Sequence, residues 1–462
     1  MSLLALSEGH HEVSTSVTMV FTALLVAMIA SLALEEKIHA KKSLIVGVFA
    51  IISLFLGIVF EVVPGTVPVH IGGETLTLPI YIPSIDWGVI AIILGSSLFV
   101  DVTSKSGLFT WIAIKLTKAS GGDPRRLLWF YGLMTVVFSA VLNNVTAMII
   151  VGSLTGVSLR KLGRARLMLG FLLVEGLLTN IGGLLTLISS VPNIIVGTAA
   201  GISFVQFFVS AAPFVVVATA LTIWMGAKLF GIPTLSTEEE KKEAMAQVES
   251  FDENDGIESE GFFKFGTAML IAFIVVIATT SVLPVIKELG MGYVALTFAA
   301  IMLIRYKSSV DTYYKAVDWD LLGFFAALFV VIGVMEHAQV LAMIGKGLAV
   351  IIGWGDVVGT GAILVAAAVA SSVTDNIPLA AMLAKILGSL GTPSDSPLWW
   401  SVVFGANLGG NLTPIGSAST LVAVTIMHKN DLAVSFGGFV AKAVPYAAVQ
   451  LLLAVIYVLL AL

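Results

Sequence analysis

Gly405-Ala-Asn-Leu-Gly-Gly-Asn-Leu-Thr-Pro-Ile-Gly-Ser417 decides the fold of this chain. Its flanks are too apolar to lie outside a membrane, yet its Gly, Pro, Asn, Ser and Thr break any continuous helix. In hydrocarbon every backbone N–H and C=O needs a partner. Irregular backbone therefore persists at membrane depth only where protein or a wet cavity surrounds it. A helix broken at mid-membrane and lined with small hydroxyl and amide groups is the pattern of a transport site.

The stretch occurs twice. Residues 180–190 read Asn-Ile-Gly-Gly-Leu-Leu-Thr-Leu-Ile-Ser-Ser and residues 407–417 read Asn-Leu-Gly-Gly-Asn-Leu-Thr-Pro-Ile-Gly-Ser, with seven of eleven positions identical at an offset of 227. Asp86-Trp87 recurs as Asp318-Trp319 at an offset of 232. At the same offset, Ser139-Ala-Val-Leu-Asn-Asn-Val-Thr146 faces Ser371-Ser-Val-Thr-Asp-Asn-Ile-Pro378. Ser203-Phe204 and Pro213 return as Ser435-Phe436 and Pro445. Matches held on one register argue for internal duplication rather than chance similarity of apolar sequence.

Of 462 residues, 58% are hydrophobic and only 11% charged, where a soluble domain carries about 25% charged residues. This composition predicts a polytopic membrane protein. Its net charge of −5 sits in loops and points to no nucleic-acid partner. Cysteine is absent, which excludes disulfides, thiolate metal sites and thiol nucleophiles. The first fifteen residues carry no Lys or Arg, so the first apolar segment is expected to be a retained helix and not a signal peptide. The six His, at 10, 11, 39, 70, 337 and 428, lie at termini, loops or span ends, and there is no P-loop. An intramembrane enzyme or an ATP-driven pump is not expected.

Apolar segments that can span lie near 17–34, 43–63, 86–104, 209–230, 265–283, 291–304, 320–345 and 436–461. Runs 127–158 and 357–389 are interrupted at Asn143-Asn144 and at Thr374-Asp375-Asn376, and runs 167–200 and 398–425 at the glycine stretches. Lys105, Lys115, Lys118, Arg125 and Arg126 precede the run 127–158, and Arg160, Lys161, Arg164 and Arg166 follow it. Basic flanks belong on the cytoplasmic side, so this run enters and returns as a re-entrant hairpin. Each half then has five crossings, one hairpin and one broken helix. An odd count inverts the second half in the membrane. The expected fold class is an all-α polytopic membrane protein of two inverted repeats. They cover residues 1–230 and 264–462, joined by a polar cytoplasmic linker at 231–263, with both chain ends outside.

Inversion brings the hairpin tips and broken helices together. Half-helix N-termini offer unpaired N–H groups to an anion, and exposed carbonyls suit Na⁺. The candidate ligands are Asn143, Asn144 and Thr146 at the first tip and Asn180, Thr186, Ser189 and Ser190 on the first broken helix. Thr374, Asp375 and Asn376 serve at the second tip, and Asn407, Asn411, Thr413 and Ser417 on the second broken helix. Gly182, Gly183, Gly409 and Gly410 mark the breaks. The plainer role for any one of these groups is to cap a broken helix.

Asp375 is the sharpest of them. A carboxylate at mid-membrane costs about 2.5–3.5 kcal/mol on insertion scales, so it is held neutral or is compensated by a cation. Either state suits competition between H⁺ and Na⁺. The alternative is an Asp that only caps the hairpin's second arm. Its counterpart Asn143 cannot titrate. Glu175, just before the first break, is a candidate second proton carrier, or else pairs with a polar neighbour between helices.

These residues resemble the ion transporter superfamily, in the branch of arsenite permeases, D-type sodium/proton antiporters and the melanosomal P protein. The resemblance rests on Ser139–Thr146, Asn180-Ile-Gly-Gly183, Pro192-Asn-Ile-Ile-Val-Gly197, Thr374-Asp-Asn-Ile-Pro378 and Gly405–Asn411. It adds Asn193 to the candidate ligands. The family usually shows Asp-Asn where this chain has Asn143-Asn144, and Gly-Asp where it has Ser189-Ser190, so two carboxylates are missing. Related dicarboxylate transporters bind Na⁺ at Ser-Asn-Thr tips. Asn144 and Thr146 match part of that pattern and Asn376 its Asn, which implies Na⁺ near Asn144, Asp375 and Asn376. The resemblance also implies a scaffold part, often dimeric, and a transport part that moves as an elevator.

The resulting expectation is a secondary active transporter of a bacterial or archaeal inner membrane, taking a small ion and no cofactor. Sodium/proton antiport through Asp375, with Glu175 as a candidate second carrier, is favoured, because a titratable acid suits a cation. The runner-up is a permease for arsenite or another oxyanion or carboxylate. A channel is the remaining rival, and saturable counterflow exchange excludes it.

Overall fold

A computed structural model describes residues 13–462; His10 and His11 lie outside that range. In the first half, α1 (Thr15–Ala33), a single turn α2 (Glu35–Ile38) and α3 (Lys42–Val59) precede an antiparallel hairpin of β1 (Thr66–Ile71) and β2 (Glu74–Pro79). Then come α4 (Trp87–Ser104), α5 (Leu108–Ala119), α6 (Pro124–Val141), α7 (Asn144–Lys161), α8 (Met168–Gly182), α9 (Val191–Ala200) and α10 (Phe204–Leu229). After α11 (Glu238–Glu249), the second half holds α12 (Glu260–Thr279), α13 (Pro284–Arg305), a short α14 (Val310–Ala316), α15 (Trp319–His337) and α16 (Val340–Ile352). It closes with α17 (Asp356–Val373), α18 (Asn376–Ser389), α19 (Pro397–Gly409), α20 (Ala418–Lys429) and α21 (Phe436–Ala461).

The halves match element by element: α4 to α15, α5 to α16, α6–α7 to α17–α18, α8–α9 to α19–α20, and α10 to α21. Among the described residues, ten helices are long and apolar enough to cross a membrane. They are α1, α3, α4, α8 with the turn before it, α10, α12, α13, α15, α17 and α21. At about 1.5 Å per residue, α19 and α20 are each too short to cross alone, so the second broken crossing needs both pieces. The fold is all-α with two inverted repeats.

The chain divides into two compact units. Residues up to Asp86 together with Trp319–Val350 form one. Within it α3 packs along α15. Thr18 Oγ1 donates to the Ala338 carbonyl at 3.0 Å, and the Ser43 backbone N–H and hydroxyl both donate to Asp320. The outer face of α3 carries exposed Leu44, Ile51, Phe55 and Ile58, the composition of a surface in hydrocarbon.

Trp87–Asp318 and Ile351–Leu462 form the other unit, which holds both hairpins and both broken helices. Here α4 packs along α13, the repeat equivalent of the α3–α15 pair. The approach is close: a Cβ on Gly95 would lie 2.5 Å from the Ala295 backbone. At the core of this unit, α8 and α19 are buried along nearly their whole lengths.

Three segments differ from the sequence expectation. The run 320–345 is not one span; Gln339 takes a left-handed φ of 63° between α15 and α16. The stretch 105–126 contains the amphipathic α5, and the polar stretch 231–263 contains α11, which docks on α5. Thr237 and Glu240 close a reciprocal capping box at the start of α11, burying Ala244 and Val248. Those backbone N–H groups hold the Glu240 carboxyl below the usual range.

Candidate functional site

Each break comes from its glycines. A Cβ on Gly182 would meet the Val136 carbonyl oxygen at 2.6 Å, and one on Gly409 would meet that of Ala368 at 2.3 Å. No side chain fits between the broken helix and the first arm of its hairpin. The same hydrogen bonds lock both copies. Ser139 Oγ donates to the Thr179 carbonyl and Ser371 Oγ to that of Ala406, each at 2.6 Å. Thr186 Oγ1 donates to the Ala140 carbonyl at 2.6 Å, and Thr413 Oγ1 to that of Ser372 at 2.5 Å.

Between α8 and α9 the freed carbonyls are satisfied by side chains, as hydrocarbon demands. Ser189 Oγ and Asn193 Nδ2 each donate to the Gly183 carbonyl at 2.6 Å and to that of Thr186 at 2.9 Å. In the second copy Thr420 Oγ1 reaches the Gly410 and Pro414 carbonyls at 3.3 Å. Capping therefore accounts for Ser189 and for the amide of Asn193.

The asparagines reach across the duplication. Asn180 Nδ2 donates to Ser417 Oγ at 3.0 Å, while Ser190 Oγ donates to Asn407 Oδ1 at 2.8 Å. These contacts are reciprocal, as a two-fold relation requires. Asn407 Nδ2 also donates to Asn193 Oδ1 at 2.9 Å, and Asn180 Nδ2 to Asn411 Oδ1 at 2.8 Å. Asn180, Asn193, Asn407 and Asn411 are buried.

The hairpin tips are more open. Asn143 and Asp375 occupy the N-cap positions of α7 and α18, accepting from the Thr146 N–H at 2.8 Å and the Ile377 N–H at 3.0 Å. Asn144 accepts from Ser139 Oγ at 2.7 Å and donates to Asn180 Oδ1 at 3.4 Å, tying the first tip to the centre. A Cβ on Gly183 would strike the Asn144 side chain. Thr374 Oγ1 turns back onto the Ala370 carbonyl at 2.7 Å. Asn144, Thr146, Thr374, Asp375, Asn376, Thr413 and Ser417 are half-buried, and Asn143 is exposed. The sequence-chosen residues thus separate into a saturated amide core and a rim that keeps free surface.

Several functional-looking groups went unnoticed in the sequence. Asn411 Nδ2 donates to Gln450 Oε1 at 2.8 Å, and Gln450 Nε2 donates to Thr222 Oγ1 at 2.9 Å. This polar chain runs from Asn180 through α21 to α10. Gln450 interrupts a long apolar span, which is itself a signal. Ser419 donates to Asn180 Oδ1 at 3.2 Å. Glu175 is fully buried and accepts from Thr155 Oγ1 at 2.6 Å, while its Oε2 has no partner. No group of three or more His, Cys, Asp or Glu able to hold a metal occurs among the described residues.

Residues 13–405 match the family model described as citrate transporter. The chain belongs to this family. An uncharacterized transporter of Mycobacterium bovis is 31% identical over 81% of this chain and 86% of its own length. The P protein of Homo sapiens is 25% identical over 92% of this chain and 60% of its own length. In fold, this member of the family is similar to the YdaH transporter of Alcanivorax borkumensis, described as having an unusual topology. The TM-score is 0.61 at 16% identity, covering 91% of this chain and 98% of that one. The resemblance to the ion transporter superfamily holds, and the chain is a multi-pass membrane transporter.

Proposed function

We propose that this chain is a proton-coupled secondary transporter of an inner membrane, with its cargo bound at the rim formed by hairpin tips and broken helices. The observation that carries the reading is the charge balance there. Residues 143–146, 183–190, 374–376 and 410–417 contain amides, hydroxyls and one carboxylate, Asp375, and no Lys or Arg. A carboxylate among neutral oxygen ligands suits Na⁺ or a similar hard cation. When Asp375 binds H⁺ the site is neutral, and when it binds Na⁺ the site is again neutral. The ionised empty carboxylate is the costly state in hydrocarbon, which ties entry of one ion to departure of the other. Asn144, Asn376 and Ser417 complete the oxygen set.

Glu175 is the second proton carrier in this reading, because a fully buried acid with one oxygen unpartnered costs least when it holds a proton. The unit holding both hairpins serves as the moving, elevator part, and the protein works as a homodimer. Both chain ends lie outside.

A second reading is favoured by the family's description, citrate transporter. A carboxylate cargo at a rim without Lys or Arg enters protonated or paired with a cation, held by amide N–H groups and half-helix N-termini. One assay separates the two. Proteoliposomes are offered Na⁺, Li⁺, arsenite, citrate and dicarboxylates, each with and without a pH gradient. Proton release driven by Na⁺ or Li⁺ alone supports cation antiport. Citrate uptake with no cation-driven proton flux sinks it in favour of the carboxylate. Asp375→Asn abolishes the cation response; full retention removes Asp375 from the mechanism.

A further inference from the structure

Glu175 sits in a polar cluster that the second copy of the repeat lacks. Thr155 on α7 donates to its Oε1. One turn further along α7, Ser158 Oγ lies 2.8 Å from Tyr131 Oη, and Tyr131 Oη lies 2.7 Å from Thr117 Oγ1 on α5. Thr117 donates its own proton to the Ala113 carbonyl at 2.8 Å. It therefore accepts from Tyr131, which in turn accepts from Ser158. Thr117, Tyr131, Thr155 and Glu175 are almost wholly buried; Ser158, 5% exposed, precedes the exposed Arg160 and Lys161.

Helices α6, α7, α10, α19 and α20 pack on α8. On these packing helices Tyr131 of α6 is the one ionisable side chain away from the helix ends. The other charged groups stand at helix ends: Arg125 and Arg126 on α6, Arg160 and Lys161 on α7, Lys228 on α10, His428 and Lys429 on α20; α19 carries none. At the equivalent positions of the second repeat, Thr117, Tyr131, Thr155, Ser158 and Glu175 are replaced by Ala349, Ile363, Leu387, Leu390 and Val402. Five polar groups set against five apolar ones is a difference in function between two copies of one scaffold.

We infer that Glu175 exchanges its proton with the basic, cytoplasmic face of the membrane through the root of the first hairpin, along Thr155 and the Ser158–Tyr131–Thr117 hydroxyl chain. The apolar second copy seals the matching route to the opposite face. Each hydroxyl takes a proton on a lone pair and passes on its own, so every O–H ends reversed and turns back before the next transfer, and only Glu175 changes protonation. The exchanging proton reaches and leaves Oε1, the oxygen that Thr155 bonds. This inference rests on the reading of Glu175 as a proton carrier.

The test is infrared spectroscopy of the full-length protein in lipid vesicles, transferred from H₂O to D₂O. A protonated-carboxyl band lost in Glu175→Gln identifies the group, and its isotope shift is followed in time. Tyr131→Phe and Ser158→Ala are expected to slow that shift by about tenfold or more. Tyr457→Phe, whose hydroxyl bonds the Ser210 carbonyl elsewhere, leaves the rate unchanged. Slowing in either route variant supports the inference. An unchanged rate in both overturns the route and leaves the carrier standing. Absence of any band lost in Glu175→Gln means that Glu175 holds no proton, and carrier and route fail together.

Discussion

The two copies of the repeat agree at the helix breaks and disagree on either side of them. At the breaks, Gly182 and Gly409 touch equivalent backbone atoms. Ser139 and Ser371 make the same bond, as do Thr186 and Thr413. At the tips, Asn143 stands where the other copy has Asp375. In the core, Leu184 stands where the other copy has Asn411. Geometry is thus shared while charge and polarity are not. Unwound backbone inside a membrane has few satisfactory solutions, so both copies keep one. The chemistry of the cargo needs only a few side chains, and those are free to diverge.

The comparison is broken most severely by moving the charge. Asp375→Asn makes the two tips alike, and cation-driven proton flux in vesicles should fall to background. The double variant Asn143→Asp with Asp375→Asn moves the carboxylate to the other tip. It restores flux if the tips are interchangeable and does not if the polar neighbours of the second tip matter.

A smaller effect follows from filling the contacts that the copies share. Gly409→Ala and Gly182→Ala place a methyl against backbone oxygen at 2.3 and 2.6 Å, and backbone cannot swing aside as a side chain can. Each should cost about 1–3 kcal/mol or more, read as a lowered melting temperature in detergent, with Gly409→Ala the worse. Equal and negligible losses would mean that the close approach relaxes at no cost.

Making the core alike is milder. Asn411→Leu copies Leu184 and leaves the Gln450 carbonyl oxygen without its amide donor, a loss of about 1–3 kcal/mol for a buried unsatisfied acceptor. Adding Gln450→Ala, the equivalent of Ala218, removes that acceptor and should recover part of the loss. A purely additive double variant, measured by thermal unfolding, argues against a continuous Asn180–Asn411–Gln450 chain.

What the sequence disclosed follows the same division. The breaks were legible because Gly-Gly flanked by Asn inside an apolar run has few alternatives, and the repeat supplied each position a second time. The first hairpin turn was legible from Asn143-Asn144 between basic loops, and the second from Thr374-Asp375-Asn376 at the repeat-equivalent position. The partners across the repeat were not: Asn180 meets Ser417, 237 positions away, and no local pattern encodes that distance. The hydroxyl chain of Tyr131, Ser158 and Thr117 escaped notice because each is ordinary in a helix alone. Helix α11 was hidden by its charge. Its Glu-rich first turn reads as solvated linker, although Ala244 and Val248 give it a buried side.

That linker supplies the mildest test, since it docks on α5 of the first copy at lysines the second copy lacks. Lys115 and Lys118 pair with Glu253, and the equivalent positions of α16 are Gly347 and Val350. The two ammonium groups hold the Glu253 carboxyl below the usual carboxylate range. A depressed folded value means the docked state binds fewer protons than the free one. The contribution is therefore fully present above the ordinary carboxylate value and is lost as pH falls through the depressed one. All three side chains are partly exposed, so the effect is small and screened by salt. Hydrogen exchange over 238–249 should quicken, once corrected for intrinsic rates, as pH drops into the acid range. Raised salt or Glu253→Gln should quicken it at neutral pH. Unchanged protection in all three conditions would place the grip of the linker in its other anchors: the Leu235 N–H bonded to Asp123 at 2.7 Å and the Ile232 carbonyl held by Arg125. The first copy would then be strapped through the N-terminus of its hairpin and not through α5.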